Sequence, residues 1–485
     1  MNNNQHKKRG VATNSILLAF VQCLTMITSI LQTMILSREL TKVEYGTYSQ
    51  GLLVINFVMP FLMLGLSNAI TYFSGQNRND KQKYVNTIVT MVLCLGCVGT
   101  ICIFGAQSLI LQYFGNEGLT AILPFVAFLP LLLNMISVFQ TLFVAEDMAT
   151  SIAIRNAIVA VLQIIIVAIS VFFLHDIRAI FIMLIILDCL QIALFSIVFR
   201  TRRYSIHLQL IEKEVAKEVL RYSIPLAFST AIGTLSVYMD KLLIGRMTSV
   251  EDFALYTNMA KELPLAFIVG SFTTVIMPSF IRLHANGQDR VLANYWKKYL
   301  ELGICITWIL CGTAIFCSRD LLLFLYSEKY SRGIAIFIVY LVCELCRFSY
   351  FGIILSAFGK TKIIMYSSAL SLICNFVLNI VLFRMLGMIG PAIASLASII
   401  LVQLLQIGFS CRLLSCQWRE IFHFRFLIKL ATEIIIIGII VNRIGSCFIA
   451  VSFLRLVLCG GVMVLLVGAL NYKRVMSLIR DINSL

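Results

Sequence analysis

NSILLAFVQCLTMITSILQTMILSRELTKVEYGTYS, at residues 14–49, is repeated as YSIPLAFSTAIGTLSVYMDKLLIGRMTSVEDFALYT at residues 222–257, with a fixed offset of 208. Identical pairs include Ser15/Ser223, Arg38/Arg246 and Tyr48/Tyr256, and most other positions exchange one apolar residue for another. Both stretches have the same order of apolar helix, polar turn and second helix. The repeat predicts that the chain contains two copies of one helical bundle.

The composition is that of a membrane protein. The chain has 485 residues, of which 60% are hydrophobic and 13% are charged, and its mean hydropathy is +0.94. Apolar runs of about 20 residues, the length needed to cross the hydrocarbon core, recur throughout. Because backbone polar groups must be satisfied inside the bilayer, these runs predict helices. We expect an all-α polytopic protein with about fourteen spans, centred near residues 24, 59, 95, 131, 163, 188, 232, 266, 307, 345, 372, 401, 434 and 458.

The spans divide into two lobes and an appended pair. Six spans form a predicted N-terminal lobe at residues 1–205, and six more form a C-terminal lobe at residues 206–416. Each lobe has an even number of spans, so both begin on the same side of the membrane. The lobes are therefore expected to be parallel repeats, related by a pseudo-two-fold axis along the membrane normal. Residues 417–485 carry the appended two-helix pair and a tail.

The net charge of +16 does not indicate a nucleic-acid partner. Most of the 39 Lys and Arg residues fall in alternate loops, which is the positive-inside pattern of a membrane protein. Lys7, Lys8 and Arg9 precede the first span, and Lys473 and Arg474 follow the last. We therefore predict that the N- and C-termini are both cytoplasmic.

Three predicted spans carry polar residues at helical spacing. These are Gln22, Thr25, Ser29 and Gln32 in span one, Thr230 and Lys241 with the neighbouring Asp240 in span seven, and Asn375 and Asn379 in span eleven. A polar stripe on a membrane helix either faces a wet cavity or bonds to a neighbouring helix. Both interpretations stay open, and all these residues are candidates for a substrate-binding lumen.

Ionisable residues inside spans are a sharper indication of function, because each is costly unless it is paired or hydrated. Asp188 lies near the midpoint of span six, where it is either a proton or sodium site or a carboxyl bonded to neighbouring helices. Glu344 and Arg347 are one turn apart in span ten and can pair. Arg347 either contacts an anionic substrate or has a purely structural role as the ion-pair partner of Glu344. Lys261, in span eight, is a further lumen candidate.

No enzyme motif or metal site is expected. Gly359-Lys360-Thr361 resembles the end of a phosphate loop, but Ile354 stands where that loop needs a glycine. Two of the fifteen cysteines form Cys343-x-x-Cys346, which lies in an apolar helix without a nearby histidine pair. Free cysteine behaves there as a small hydrophobe. We expect no catalytic residue, no metal and no cofactor.

Three segments together resemble a known family. They are LSRELTKVEYGTY at residues 36–48, YSIP with YMDKLLIG at residues 222–225 and 238–245, and NFVLN followed by LGMIGPAIAS at residues 375–379 and 386–395. Their order and spacing are similar to those of Wzx-type polysaccharide flippases in the MOP (multidrug/oligosaccharidyl-lipid/polysaccharide) exporter superfamily. The resemblance covers residues 10–415.

The resemblance implies a non-enzymatic transporter in the bacterial cytoplasmic membrane. It would move a polyprenyl-pyrophosphate-linked oligosaccharide to the outer leaflet by alternating access, for lipopolysaccharide or exopolysaccharide biosynthesis. A cationic cavity would hold the pyrophosphate. Implied partners are that lipid-linked oligosaccharide, membrane lipids, H⁺ or Na⁺, and polysaccharide polymerase and chain-length proteins. The acidic–basic pair of the family is matched by Asp240 and Lys241, whereas the first repeat has Gln32 and Thr33 there.

Three other functions stay open. A multidrug exporter of the same superfamily would share the fold, but its pocket should be more acidic than basic. An exporter of lipid II or another lipid-linked precursor would differ mainly in its cargo. A membrane-embedded polysaccharide polymerase or ligase would need a large external loop, whereas the longest loops here are predicted to be cytoplasmic.

Overall fold

The computed structural model describes residues 2–75, 80–146, 148–201, 211–261 and 266–483. All regular elements in these residues are helices, and no strand occurs among them. The prediction of an all-α protein is therefore confirmed. Two compact units are present, at residues 1–254 and 255–485.

The first unit contains ten complete α-helices and the start of an eleventh that crosses the boundary: α1 (Asn2–Glu39), α2 (Lys42–Met63), α3 (Leu66–Gly75), α4 (Lys81–Gly105), α5 (Gln107–Phe114), α6 (Leu123–Val126), α7 (Leu129–Ala145), α8 (Ala149–Ala168), α9 (Ile177–Thr201), α10 (Lys213–Met247) and α11 (Val250–Met259). A π-helical turn at Ile169–Phe173 extends α8. A 3-10 helix at Glu117–Ala121 lies between α5 and α6.

The second unit contains the remaining helices: α12 (Ala266–Ala285), α13 (Asp289–Phe316), α14 (Ser318–Tyr326), α15 (Ile334–Cys346), α16 (Ile353–Ala357), α17 (Thr361–Leu386), α18 (Ile389–Leu413), α19 (Trp418–Ile421), α20 (Phe424–Phe448) and α21 (Ser452–Asn483). A 3-10 helix at Glu328–Gly333 lies between α14 and α15.

Helices α2 and α3 form one bent element. Their axes differ by 43°, and the bend is made by Leu64 and Gly65, which both have positive φ. A Cβ atom on Gly65 would lie 2.6 Å from the carbonyl oxygen of Ser223, so only glycine lets the backbone of α10 approach this closely. The start of α2 is fixed by Thr41 and Glu44, whose side chains each accept a hydrogen bond from the other's backbone N–H.

The core of the first unit includes part of α10. A buried cluster joins α3, α4, α7 and α9, with Phe73, Ile88 and Phe139 among its members. Val215 and Val219, in the first turns of α10, are buried in the same cluster. The predicted lobe boundary at residues 205 and 206 precedes α10, whereas this helix packs with α2, α3 and α4. The repeat and its lobe boundaries stay predictions.

Helix α13 is central to the second unit. It packs against α15, α20 and α21, and a buried cluster that includes Ile304, Leu430 and Met463 fills the space between α13 and the appended pair. Helices α17 and α18 form a hairpin, of which α18 packs on α15.

In the described part of the chain, eight helices are long and apolar enough to cross a membrane, or up to nine if α2 and α3 form one span. The protein is therefore multi-pass, but the number fourteen stays a prediction. The expected continuous span near residue 345 is wrong. Helix α15 ends at Cys346, and α16 begins at Ile353.

Candidate functional site

A small polar cavity lies between α1 and α8 in the first unit. Its volume is about 230 Å³, and its lining consists of Thr25, Thr28, Ser29, Gln32, Asn156, Val159, Ala160 and Gln163. Three of the four residues predicted from the stripe on span one therefore line it. The fourth, Gln22, is exposed and is not part of this lining.

The sequence analysis did not predict the cavity residues that α8 contributes, Asn156 and Gln163. Asn156 and Gln163 are seven residues apart and therefore lie on one face of the helix. Two amides at this spacing in an otherwise apolar span are the signal that could have found them. With Gln32 they place three side-chain amides around the cavity, and each amide can both donate and accept hydrogen bonds.

A buried charged group lies close to this cavity. Asp188, on α9, is 4% exposed and accepts a hydrogen bond of 2.8 Å from Nε2 of Gln191. The guanidinium of Arg155, on α8, interacts electrostatically with the same carboxylate. Asp188 is therefore compensated by a cation from the neighbouring helix.

Arg155 links this buried carboxylate to the polar cavity. Its Nη1 donates a hydrogen bond of 2.8 Å to Oδ1 of Asn156, which lines the cavity, and its Cζ lies 5.5 Å from the centre of the Phe195 ring. Its Nε is buried and has no hydrogen-bond partner within the described residues. The guanidinium thus keeps one unused donor. Arg155 lies near the start of its helix, so the sequence alone does not indicate that its charge acts on a buried carboxylate.

The predicted residues of span seven lie elsewhere on α10. Asp240 is buried, and Lys241 places its Nζ 5.3 Å from the centre of the Tyr238 ring. Thr230 is exposed, and its hydroxyl donates to the carbonyl of Leu226 in the same helix. The structure does not bring these three residues into the cavity between α1 and α8.

In the second unit, Glu344 and Arg347 meet at the end of α15. Nη1 of Arg347 lies 3.4 Å from Oε1 of Glu344, and the Glu344 side chain is 3% exposed against 33% for Arg347. Arg347 occupies the C-cap of the helix rather than its middle. Its guanidinium is therefore partly accessible beside a buried carboxylate.

The break after Arg347 is held by residues distant in sequence. Gln403, on α18, donates a hydrogen bond of 2.9 Å to the carbonyl of Cys346. The hydroxyl of Tyr299, on α13, accepts one of 3.2 Å from the backbone N–H of Tyr350. Non-helical backbone at membrane depth is tolerated where protein buries it or water reaches it. These contacts satisfy part of that requirement.

The remaining candidates lie in α17 and after α11. Asn375 and Asn379 are buried, and Nδ2 of Asn379 donates a hydrogen bond of 2.9 Å to Oδ1 of Asn375. Nearby, Ser371 bonds across to the carbonyl of Ser398 on α18. Lys261 is exposed in the segment after α11, not within a helix as expected, and the next four residues lie outside the described chain.

The long apolar helices of the described residues define a multi-pass membrane protein. More particularly, the chain belongs to the polysaccharide biosynthesis protein family, whose sequence model matches residues 35–335. It is also 22% identical over 358 residues to the capsular polysaccharide biosynthesis protein CapF of Staphylococcus aureus, covering 73% of this chain and 87% of CapF.

Solved structures show the same fold. The lipid II flippase MurJ, in an inward closed conformation, superimposes with a TM-score of 0.73 at 16% identity, covering 95% of this chain and all of MurJ. An inward-facing multidrug resistance MATE family transporter of the MOP superfamily gives a TM-score of 0.66 at 13% identity, covering 82% of this chain and 98% of the transporter. The predicted membership of a polysaccharide biosynthesis family is confirmed, and the helical fold is the one seen in MurJ and the MATE transporter.

Proposed function

We propose that the protein moves a polyprenyl-pyrophosphate-linked oligosaccharide from the cytoplasmic to the outer leaflet of the bacterial cytoplasmic membrane by alternating access. This step would serve the biosynthesis of a cell-surface polysaccharide. Membership of the polysaccharide biosynthesis family supports the pathway, and the fold shared with a lipid II flippase supports a lipid-linked cargo. No catalytic step is proposed.

The polar cavity beside Arg155 is the observation that carries the proposal. Sugar hydroxyls need groups that both donate and accept hydrogen bonds, and the amides of Gln32, Asn156 and Gln163 supply them. A pyrophosphate needs a cation with several donors, and the planar guanidinium of Arg155 suits phosphate oxygens. Arg347, partly accessible at the break in the second unit, is a separate candidate for an anion contact.

Asp188 connects this chemistry to an ion gradient. Its protonation, or its occupation by a sodium ion, would weaken its attraction for Arg155 and leave the guanidinium free to bind pyrophosphate. Ion and cargo would then favour the same state of the pair, and a ligand shifts a conformational equilibrium only by binding its states unequally. Asp188 is accordingly the proposed coupling residue. Polymerase and chain-length proteins are the proposed partners downstream.

A flipping assay with the purified full chain tests the proposal. The protein is reconstituted in vesicles with a polyprenyl-pyrophosphate-linked oligosaccharide, and a membrane-impermeant glycosidase measures the fraction of sugar on the opposite leaflet. Asn156→Leu and Gln163→Leu should slow flipping about tenfold or more, since each leaves a cargo hydroxyl unpaired. Ser196→Ala is the control, because within the described residues that exposed hydroxyl bonds to the carbonyl of Ile192 in its own helix and not to the cavity.

The alternative functions predict different results. A multidrug exporter would move cationic dyes and leave the lipid-linked sugar in place. An exporter of another precursor would flip lipid II but not the oligosaccharide carrier. Wild-type rates in both leucine variants would remove the cavity between α1 and α8 from the pathway of the cargo.

A further inference from the structure

The chain makes an elbow where α18 is followed by the appended helix pair. We define the elbow as residues 412–423. Helix α18 ends at Leu413, Ser415 has a positive φ of 51°, and the short α19 precedes the start of α20 at Phe424. Gln417 and Glu420 close a capping box that fixes α19. The predicted topology places the elbow at the cytoplasmic surface of the membrane.

A cavity of about 850 Å³ opens at the elbow. Arg412, Ser415, Gln417 and Arg419 supply polar groups to its wall, and no acidic residue belongs to that wall among the described residues. Neither arginine forms an ion pair within the described part of the chain. Burial raises the pKa of the Cys416 thiol, which is therefore neutral at pH 7 and adds no negative charge. The charged residues of the wall are therefore both cations, with Glu420 just outside the wall and near enough to act electrostatically on Cys411 and Cys416.

An apolar slot continues from the cavity along α18. It has a volume of about 260 Å³ and shares Leu404 and Trp418 with the cavity. Its other walls include Ile304 and Trp308 of α13 and Ile400 of α18. Ile400 is twelve residues before Arg412, so the slot extends roughly 18 Å from the arginine toward the bilayer interior.

The combined shape selects one class of ligand. Two guanidinium groups without an ion-pair partner among the described residues suit a phosphate, which arginine binds through a pair of parallel hydrogen bonds. The adjoining slot is apolar and is lined in part by the long apolar helices α13 and α18, so it suits an acyl chain. Trp418 stands between the two regions, as tryptophan commonly does at the membrane interface. A soluble anion would fill the mouth and leave the slot empty.

We propose that the elbow cavity and its apolar slot bind an anionic phospholipid of the cytoplasmic leaflet, with the phosphate on Arg412 and Arg419. This site is separate from the residues proposed to bind cargo. The bound lipid would tie α18 to α20. Because Phe348 also forms part of the slot wall, occupation would also stabilise the break after Arg347.

Lipid binding to the purified full chain tests this proposal. Native mass spectrometry counts the bound lipids, and thermal unfolding in detergent is followed on addition of phosphatidylglycerol, phosphatidylcholine or inorganic phosphate. Phosphatidylglycerol should raise the unfolding temperature of the wild type, and the other two should not. The double variant Arg412→Ala/Arg419→Ala should bind phosphatidylglycerol about tenfold more weakly, because it lacks both phosphate contacts.

Two further variants distinguish specific binding at the elbow from an effect of the protein's total charge. Arg282→Ala/Arg290→Ala removes the same charge from exposed residues of the same unit, and it should bind phosphatidylglycerol like the wild type. Gly408→Phe keeps both elbow arginines but places a ring in the cavity, and it should lose the lipid. Gly408 has room for a larger side chain, since a Cβ there would meet only Trp418, at 3.6 Å.

Several results would overturn the proposal. Equal phosphatidylglycerol affinity in the elbow variant and the wild type would show that the lipid binds elsewhere. An equal thermal shift with inorganic phosphate would assign the mouth to a soluble anion. Preferential retention of a polyprenyl phosphate over phosphatidylglycerol would assign the cavity to the cargo lipid. Loss of binding in both Arg412→Ala/Arg419→Ala and Arg282→Ala/Arg290→Ala would show that phosphatidylglycerol responds to the protein's total charge and not to a specific site.

Discussion

Arg474 donates two hydrogen bonds to the buried carboxylate of Glu301, with Nε 2.7 Å from Oε1 and Nη2 2.9 Å from Oε2. Glu301 is on α13 and Arg474 is on α21. Nδ1 of His423, which precedes α20, lies 3.0 Å from the same carboxylate. One carboxylate thus joins both helices of the appended pair to the central helix of the second unit.

A second ion pair holds the other end of α21. Nε of Arg455 donates a hydrogen bond of 2.6 Å to Oδ2 of Asp320, on α14. Arg455 and Arg474 are nineteen residues apart, or about 28 Å along the helix. This distance approaches the thickness of the hydrocarbon core. Helix α21 is therefore held to the rest of the second unit at two points, and the buried cluster that contains Leu430 and Met463 packs against it.

Arg474→Ala should destabilise the protein by about 1.5–3 kcal/mol, the usual contribution of a hydrogen bond to a charged group. The variant leaves the carboxylate of Glu301 buried with His423 as its remaining partner. Thermal unfolding in detergent measures the loss. Lys473→Ala is the control, because it removes an equal charge from the adjacent exposed residue. Equal unfolding temperatures for the two variants would show that the interaction with Glu301 contributes nothing.

Gly303→Ala should also destabilise the second unit. A Cβ atom on Gly303 would lie 2.1 Å from the backbone oxygen of Phe348, inside the break that follows α15. Overpacking of this kind costs about 1–3 kcal/mol, and here the obstacle is backbone that cannot rotate away. In Gly461→Ala no atom lies within 4 Å of the new Cβ, so unfolding should occur at the same or a slightly higher temperature. A stable Gly303→Ala protein would mean that the break is free to move.

The break illustrates what the sequence could not predict. Glu344 and Arg347 are three residues apart, so helical geometry alone predicted their pairing. The end of α15 at Cys346 has no proline, and it depends on Gln403 and Tyr299, which are more than forty residues away in the chain. Local patterns cannot identify such partners. The apolar runs predicted helices correctly, but not where tertiary contacts interrupt them.

The same limit applies to the polar cavity. The stripe of Thr25, Ser29 and Gln32 was predictable, because polar residues on one face of a membrane helix need partners. Their partners on α8 were not, since pairing α1 with α8 is a property of the folded bundle. The interaction of Arg155 with Asp188 depends on the packing of α8 against α9, which the sequence alone does not give.

Arg347→Ala should abolish the surface polysaccharide in cells while leaving protein abundance near normal, if the guanidinium contacts pyrophosphate. Arg347→Lys should retain partial function, because lysine keeps the charge but loses the planar fork. Surface polysaccharide is measured by immunoblot and abundance by an epitope tag. Degradation of the alanine protein would instead make Arg347 a structural partner of Glu344. Wild-type polysaccharide would remove it from the site.

Asp188→Asn should make flipping in reconstituted vesicles independent of an imposed proton or sodium gradient. Asparagine preserves the size of the side chain and its bond to Gln191, but it cannot titrate or carry charge. It also leaves Arg155 as an uncompensated, partly buried cation, and breaking a fully buried pair costs about 3–5 kcal/mol, which is the upper bound here. Low abundance could therefore imitate loss of function.

The double variant Arg155→Gln/Asp188→Asn resolves this ambiguity, because it removes both charges together and should recover much of the lost stability. Thermal unfolding of the two single variants and the double variant gives the coupling between the residues. Flipping per folded molecule is then compared with and without a gradient. If Asp188 couples the ion, Asp188→Asn loses gradient dependence even after correction for abundance. Unchanged gradient dependence, with stability restored in the double variant, would make Asp188 solely the structural partner of Arg155.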